Sequence, residues 1–278
     1  MDPELTKALL TGAAGGLAPA LVKHSVNWLI ELVRSHSPAC QEQATENLKN
    51  FVTRLAARVE RLEADLSADH RPIFEEAMGH PSSSLLIQKA LVAGAVTDND
   101  DRHELLAELI AQRLTADADD MIALAGSAAC DVVSSLTSRQ IKLLGMIVRV
   151  YSIGPLTPPV DAPAEVQLQF LREWWNPMTT LCRGLEEVVE LDFEHLEGLS
   201  CLSITRIASK DHKVWLFGRL NLKNIKFQQD VFTRMDWWPV FDRLWKSHIS
   251  KSTPTTVGKL IGILHHDSKT GQRTTIKW

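Results

Sequence analysis

The segment HELLAE (103–108) contains residue types that a metal-dependent hydrolase would use. A zinc-protease helix needs two histidines four residues apart, so that both imidazoles lie on one helix face beside a glutamate. Here His103 and Glu104 are followed by Ala107 at the position of the second histidine. We therefore expect His103 and Glu104 to lie in the first turn of an ordinary helix.

A second group combines two imidazoles with a carboxylate. His265, His266 and Asp267 are residue types that ligate metals, but the sequence suggests no further ligand elsewhere in the chain, so a structural role is predicted. The glycine-rich run GAAGG (12–16) lacks the Lys-Ser/Thr ending of a phosphate-binding loop. An acidic helical face, either solvated or a dock for a basic segment, is expected from Glu186, Glu187, Glu190 and Glu194.

The four cysteines show no spacing that is typical of a metal or redox site. Cys40, Cys130, Cys182 and Cys201 form no CxxC pair. Cys130 and Cys182 lie in apolar stretches, which predicts buried free thiols and favours a reducing cytoplasm. The sequence therefore predicts no catalytic residue, no metal ligand and no cofactor, and so a protein that is not an enzyme.

The net charge of −4 is distributed unevenly along the chain. Residues 1–150 and 151–204 have net charges of −6 and −7, whereas residues 205–278 carry fourteen Lys and Arg against five Asp and Glu. This asymmetry indicates either an anionic partner such as nucleic acid or docking of the basic segment on the acidic remainder of the chain. The candidate contacts with nucleic acid or a partner are Lys210, Lys213, Arg219, Lys223 and Lys226.

The elements that would position these residues are predicted to be mostly helical. A hydrophobic fraction of 45% and a charged fraction of 23% are typical of a globular protein and exclude a disordered or collagen-like chain. Residues 40–67 predict one long helix, because apolar residues recur at steps of three and four. Shorter helices are predicted after it, over 84–96, 101–114 and 121–133.

Local signals mark the starts of helices and the limits of domains. Asp101 with Glu104, and Thr137 with Gln140, have the spacing of capping boxes. The segment IGPLTPPVDAP (153–163) contains four prolines and is predicted to be a linker. The predicted division is an N-terminal helical segment over 1–36, a helical bundle over 37–152, the linker, and a C-terminal part over 164–278.

Residues 164–278 are predicted to form a helix followed by a small basic module. Residues 201–208 and 214–222 alternate apolar and polar side chains, which predicts a β-hairpin. Residues 253–266 predict a helix with Pro254 in its first turn. The arrangement resembles a winged helix. The predicted fold class is therefore mostly α, a multi-helix bundle followed by a small α+β winged-helix-like C-terminal module.

The N-terminal segment is unusually apolar. Residues 8–22 are uncharged but shorter than the roughly 20 apolar residues that a spanning helix needs. We expect a helical hairpin that packs on the core or on another subunit, and the alternative is a membrane-seeking segment over 8–33. The candidate self-association residues combine this segment with the long helix: Gly12, Gly16, Leu48, Leu55 and Leu62.

Several segments of the sequence resemble those of a known group of proteins. The run 82–147, which includes HELLAELIAQRL (103–114) and LTSRQIKLLGMI (136–147), is similar to the core of bacterial abortive-infection alpha-type proteins and related uncharacterised helical families. LEGLSCLSI (196–204) and TPTTVGKLIGIL (253–264) resemble their C-terminal segment. The Gly-rich amino end and the Trp-rich carboxy end depart from that pattern, which leaves the partner open.

The resemblance implies a bacterial cytoplasmic accessory or effector protein of phage defence, and it carries over no catalytic residue. We therefore expect a non-enzymatic protein that self-associates into a homo-oligomer and binds a protein partner from the same defence system. Two alternatives stay open. One is a nucleic-acid-binding regulator that uses the basic C-terminal module, and the other is an effector held peripherally at the inner membrane by residues 8–33.

Overall fold

A computed structural model describes residues 37–67, 71–115, 121–153, 162–205, 233–272 and 274. The chain divides into two compact units between Leu136 and Thr137. This division lies earlier than the predicted linker over 153–163, because helix Ser138–Tyr151 packs against the C-terminal helix Thr256–Thr270 within the second unit. The predicted N-terminal segment over 1–36 lies outside the described residues.

The first unit is helical throughout its described residues. Its elements in chain order are α1 (Pro38–Asp65), α2 (Arg71–Gly79), α3 (Pro81–Ala95), α4 (Asp100–Thr115) and α5 (Met121–Val133). The long helix expected over 40–67 is confirmed as α1, which begins after an N-cap at Ser37 and packs on α3 and α4. The apolar stripe of α1 forms part of the core of this unit, with Leu48, Phe51 and Leu55 buried.

The start of α4 differs from the predicted capping box. The helix begins at Asp100, and the side chain of Asn99 accepts a hydrogen bond from the backbone N–H of Arg102 at 3.1 Å. Asn is as good an N-cap as Asp. The Thr97 hydroxyl accepts from the Asn99 N–H at 3.2 Å, which holds that residue in place. Asp101 therefore lies inside the first turn, where its negative charge faces the positive end of the helix dipole.

The second unit is also mostly helical. Its elements are α6 (Ser138–Tyr151), α7 (Ala164–Trp175), α8 (Met178–Leu181), α9 (Glu190–Gly198), β1 (Leu202–Ile204), α10 (Trp238–Ser247), a 3-10 turn (Ile249–Lys251), β2 (Ser252–Pro254) and α11 (Thr256–Thr270). The predicted capping box before α6 is confirmed. The Thr137 N–H donates to Gln140 Oε1 at 3.0 Å, and the Gln140 N–H donates to Thr137 Oγ1 at 3.2 Å.

The described residues of the second unit contain a small two-stranded sheet. The described part of the first predicted strand is β1, which pairs antiparallel with β2 so that Leu202 faces Pro254. The expected partner strand over 214–222 lies outside the described residues, so the winged-helix arrangement stays a prediction. The prediction for Pro254 is wrong, because it ends β2 and α11 begins only at Thr256. The side chain of Thr255 caps that helix by accepting from the Gly258 N–H at 3.2 Å.

Helices α6 and α11 approach each other closely through two glycines. A β-carbon at Gly145 of α6 would lie 2.7 Å from Cδ2 of His265. A β-carbon at Gly262 of α11 would lie 2.6 Å from the carbonyl oxygen of Leu144 and would also overlap the Val148 side chain. Because glycine lacks a β-carbon, it allows such close approach of two backbones. The packing of the two helices therefore depends on the absence of a side chain at both positions.

Within the described ranges, no helix is both long enough and apolar enough to cross a membrane.

Substitution Gly262→Ala is expected to lower the free energy of unfolding by about 2 kcal/mol, because the added methyl group overpacks the α6–α11 contact. Gly198→Ala in the same unit is the matched control, since a β-carbon there has no neighbour within 4 Å. Urea unfolding followed by circular dichroism measures both variants. Equal unfolding midpoints for the two would contradict the close approach.

Candidate functional site

The five basic residues predicted to contact nucleic acid or a partner lie outside the described residues, as do Gly12 and Gly16. The other self-association candidates lie on α1. Leu48 and Leu55 are buried inside the first unit, and Leu62 is half-buried. Both leucines thus lie in the core of the unit, on the helix that packs against α3 and α4, and the role of Leu48, Leu55 and Leu62 in self-association stays a prediction.

The charged face of α1 is also used inside the unit. Arg54 lies 2.5 Å from Asp100, and Arg58 lies 2.5 Å from Glu108, so both arginines pair with carboxylates of α4. The Arg58–Glu108 pair is the more buried of the two. Both ion pairs therefore join α1 to α4 within the first unit.

His103 lies in the first turn of α4, as expected, but its side chain is buried. The Nε2 atom lies 3.0 Å from the carbonyl oxygen of Gly94, and the ring packs against Phe51 with a centroid distance of 5.7 Å. A β-carbon at Gly94 would lie 2.7 Å from the Phe51 ring. His103 therefore links α4 to the glycine of α3 over which Phe51 packs.

The second unit contains a buried cluster around Arg149 of α6. The guanidinium donates to the carbonyl oxygen of Trp174 and to Gln272 Oε1 at 3.2 Å, and its central carbon lies 3.8 Å from the centre of the Trp174 ring. Its Nη1 atom lies 3.4 Å from Nε2 of His266, whose Nδ1 lies 2.8 Å from Asp267 Oδ1. Arg149 and His266 are both almost completely buried.

The contacts of this cluster indicate which of its atoms donate hydrogen bonds and which accept them. If His266 donates from Nδ1 to Asp267, its Nε2 is free to accept a hydrogen bond from Arg149. Asp267 also accepts from the N–H and the hydroxyl of Thr274 at 2.6 and 2.7 Å. Burial lowers the pKa of Arg149 to about 10, and the charge of Asp267 opposes that shift. The cluster therefore holds a buried cation through hydrogen bonds and a nearby carboxylate.

The residues at 265–267, whose types can ligate metals but for which a structural role is predicted, take part in this packing. His266 and Asp267 bond to Arg149 and Thr274, and His265 is buried against Gly145. Across the part of the chain that the structure describes, no group of three or more His, Cys, Asp or Glu is arranged to hold a metal ion.

The predicted acidic helical face is interrupted. Glu186 and Glu187 lie in a turn, whereas Glu190 and Glu194 lie on α9. All four are exposed. The carboxylate that is buried nearby is Asp192, which pairs with Arg139 at 3.1 Å and accepts from the Gln140 side chain and the Val189 N–H. Sequence analysis missed this cluster because Arg139 and Gln140 lie more than 50 residues from Asp192.

The buried thiols predicted at Cys130 and Cys182 are confirmed, and Cys201 is buried as well. All four cysteines are free, and Cys40 is exposed. Burial raises the pKa of each of the three buried thiols to about 12. Because the thiolate is the reactive form of cysteine, these three side chains are unreactive near neutral pH.

An exposed apolar surface lies on α3 and α5 of the first unit. We call it the α3/α5 face, and its members are Leu85, Lys89 and Val92 of α3, Val96 directly after α3, and Leu124, Ala128 and Asp131 of α5. Leu85, Val96 and Leu124 are 53%, 71% and 63% exposed. A groove of about 350 Å³ runs along α3 and is bounded by Cys130 and Asp131 of α5 and by Ser134 directly after it.

Sequence analysis predicted helices over 84–96 and 121–133 but did not identify the face. A signal was present, because a surface helix normally carries charged residues on its outer side. Only Lys89 among the 15 residues of α3 and only Asp131 among the 13 residues of α5 are charged.

The fold and these sites define a mostly helical protein with inward-facing polar clusters and an outward-facing apolar surface. The model of a protein family of unknown function matches residues 23–217. The match covers more than two thirds of the chain, and the chain belongs to this family. No curated protein matches the sequence, and no solved structure matches it either.

Substitution Arg149→Met is expected to lower the free energy of unfolding by about 3 kcal/mol, because it removes one partner from a buried polar cluster. Arg172→Met is the matched control, since Arg172 is exposed on α7 and should change stability by less than about 0.5 kcal/mol. Chemical unfolding curves give both values. Identical stability of the two variants would show that the cluster contributes nothing.

Proposed function

We propose that this chain is a non-enzymatic accessory or effector protein of a bacterial anti-phage defence system, and that it acts by protein contacts through the α3/α5 face. The observation that carries the proposal is the exposure of Leu85, Val96 and Leu124 on one two-helix surface. Burial of apolar surface stabilises a complex by roughly 25 cal/mol per Å². Single exposed apolar residues are common, but a contiguous group is typical of an interaction site.

The polar clusters support contact rather than catalysis. Arg149, His266 and Asp267 direct their hydrogen bonds at the protein itself, and Asp192 does the same through Arg139 and Gln140. A catalytic group has to reach the reacting atoms of a substrate. The outward-facing feature among the described residues is apolar, and apolar surface recognises another apolar surface.

The assignment to phage defence rests on the resemblance over residues 82–147. That run contains α3 and α5, so the surface proposed for contact belongs to the part of the chain that resembles abortive-infection alpha-type proteins. A protein partner would bind there. A cytoplasmic location fits this proposal, and residues 8–33 remain the candidate for a peripheral position at the inner membrane.

Substitution Leu124→Glu is expected to reduce phage protection roughly tenfold or more, because it puts a charge on the apolar contact surface. The measurement is the efficiency of plating of a phage panel on bacteria that carry the gene with its natural neighbours. Leu191→Glu is the matched control, since Leu191 is 69% exposed on α9 of the other unit. Thermal melting checks that both variants are folded.

Two results would count against the proposal. Full protection by Leu124→Glu would remove the α3/α5 face from the function. A wild-type gene that gives no protection against any phage tested would remove the assignment to defence.

The basic C-terminal segment supports a second candidate function, nucleic-acid binding. Residues 205–278 have a net charge of +9. Simultaneous charge reversal at Lys210, Lys213, Lys223 and Lys226 is expected to weaken binding about equally for all sequences, because phosphate contacts carry no base information. Fluorescence anisotropy with DNA and RNA at two salt concentrations tests this. If wild-type protein shows no salt-sensitive binding, this candidate is rejected.

A further inference from the structure

The charges of the α3/α5 face form one pair. Lys89 Nζ lies 2.7 Å from Asp131 Oδ2, and these are the sole charged residues of α3 and α5. Both side chains are partly exposed, at 32% and 55%. The face therefore presents one cation and one anion side by side within an otherwise uncharged surface.

The pair lies among the apolar members of the face. Leu85, Lys89 and Val92 of α3 and Val96 directly after it follow one another at steps of four, three and four residues, which places them on one side of the helix and its C-cap. On α5, Leu124, Ala128 and Asp131 follow at steps of four and three. A partner that covers the apolar residues must therefore also contact both charges.

This charge arrangement restricts the chemistry of the partner. The pair is neutral overall, so it gives no net attraction to a polyanion such as nucleic acid or to a strongly basic surface, because one member attracts the partner while the other repels it. A surface that suits both has an anion and a cation at the same spacing, between apolar residues. The α3/α5 face itself meets that description when it is turned by a two-fold rotation.

We propose that the α3/α5 face binds the same face of a second copy of this chain. Lys89 of each copy faces Asp131 of the other, as an isologous two-fold interface requires. The inference rests on the proposed contact function, and it specifies the partner at that surface. Apolar residues on both sides of the pair supply the burial, and the charges set the orientation.

The size of the face indicates a weak dimer. Helices of 15 and 13 residues are about 22 and 20 Å long. Two helices side by side then cover roughly 400 Å², because helix axes lie about 10 Å apart. A standard stable interface buries about 800 Å² on each partner. Association is therefore expected to be weak and to depend on protein concentration.

Sedimentation equilibrium of the full chain over a range of concentrations tests the proposal with charge-reversed variants. Lys89→Glu and Asp131→Lys each place like charges across the two-fold axis, so each should raise the dimer dissociation constant roughly tenfold or more. The double variant Lys89→Glu with Asp131→Lys restores both pairs and should dimerise like wild type. Circular dichroism verifies that every variant is folded.

Mixing the two single variants separates contacts between copies from contacts within one copy. In a mixed dimer, Glu at 89 faces Lys at 131, and Asp131 faces Lys89, so the two single variants should form a 1:1 complex tighter than either forms alone. Within each single variant the internal pair stays broken. Restored association on mixing therefore requires that the charges meet across two copies.

Several outcomes would overturn the inference. They are a wild-type chain that is monomeric at all concentrations, a dimer that the single reversals leave unchanged, and a mixture that associates no better than its components. A monomeric wild type whose protection is lost in Leu124→Glu would refute the second copy and leave the contact function in place, with another protein on the face. A dimer that behaves as expected while Leu124→Glu protects fully would refute the contact function instead.

Discussion

The second unit depends on how closely α6 and α11 can approach. Gly145 and Gly262 have no side chains of their own at this contact, so the His265 ring packs on the backbone of α6 and the Val148 side chain packs on the backbone of α11. The close approach of the two helices brings Arg149 of α6 within reach of His266 of α11. A buried cation needs hydrogen bonds and a nearby anion. The apolar contact between the helices and the polar cluster at its side are therefore one interdependent arrangement.

The first unit is stabilised in a different way. Its long helix α1 packs an apolar stripe onto α3 and α4, and Arg54 and Arg58 pair with carboxylates of α4. These two arginines of α1 are thus paired with a neighbouring helix of the same unit. Helices α3 and α5 carry one charge each, and they leave an apolar surface towards solvent. The first unit therefore exposes an apolar surface, whereas the second unit buries the polar cluster around Arg149.

This difference bears on function. The polar groups that resemble catalytic or metal-ligating residues are packed inside the second unit, where they hold its helices together. An exposed apolar surface lies on α3 and α5 of the first unit. The proposed contact function rests on that surface. The charge pair at the centre of that surface adds orientation to an otherwise non-directional contact.

The sequence alone determined the features that arise within a few residues. The periodicity of α1, the capping box at Thr137 and Gln140 and the burial of Cys130 and Cys182 all follow from neighbours along the chain. Tertiary structure decided the rest, because Arg149 and His266 are separated by 117 residues and β1 pairs with a strand about 50 residues away. Apolar periodicity shows that Leu55 and Leu124 are suited to burial. Only the packing of the other helices decides that Leu55 is covered and Leu124 is not.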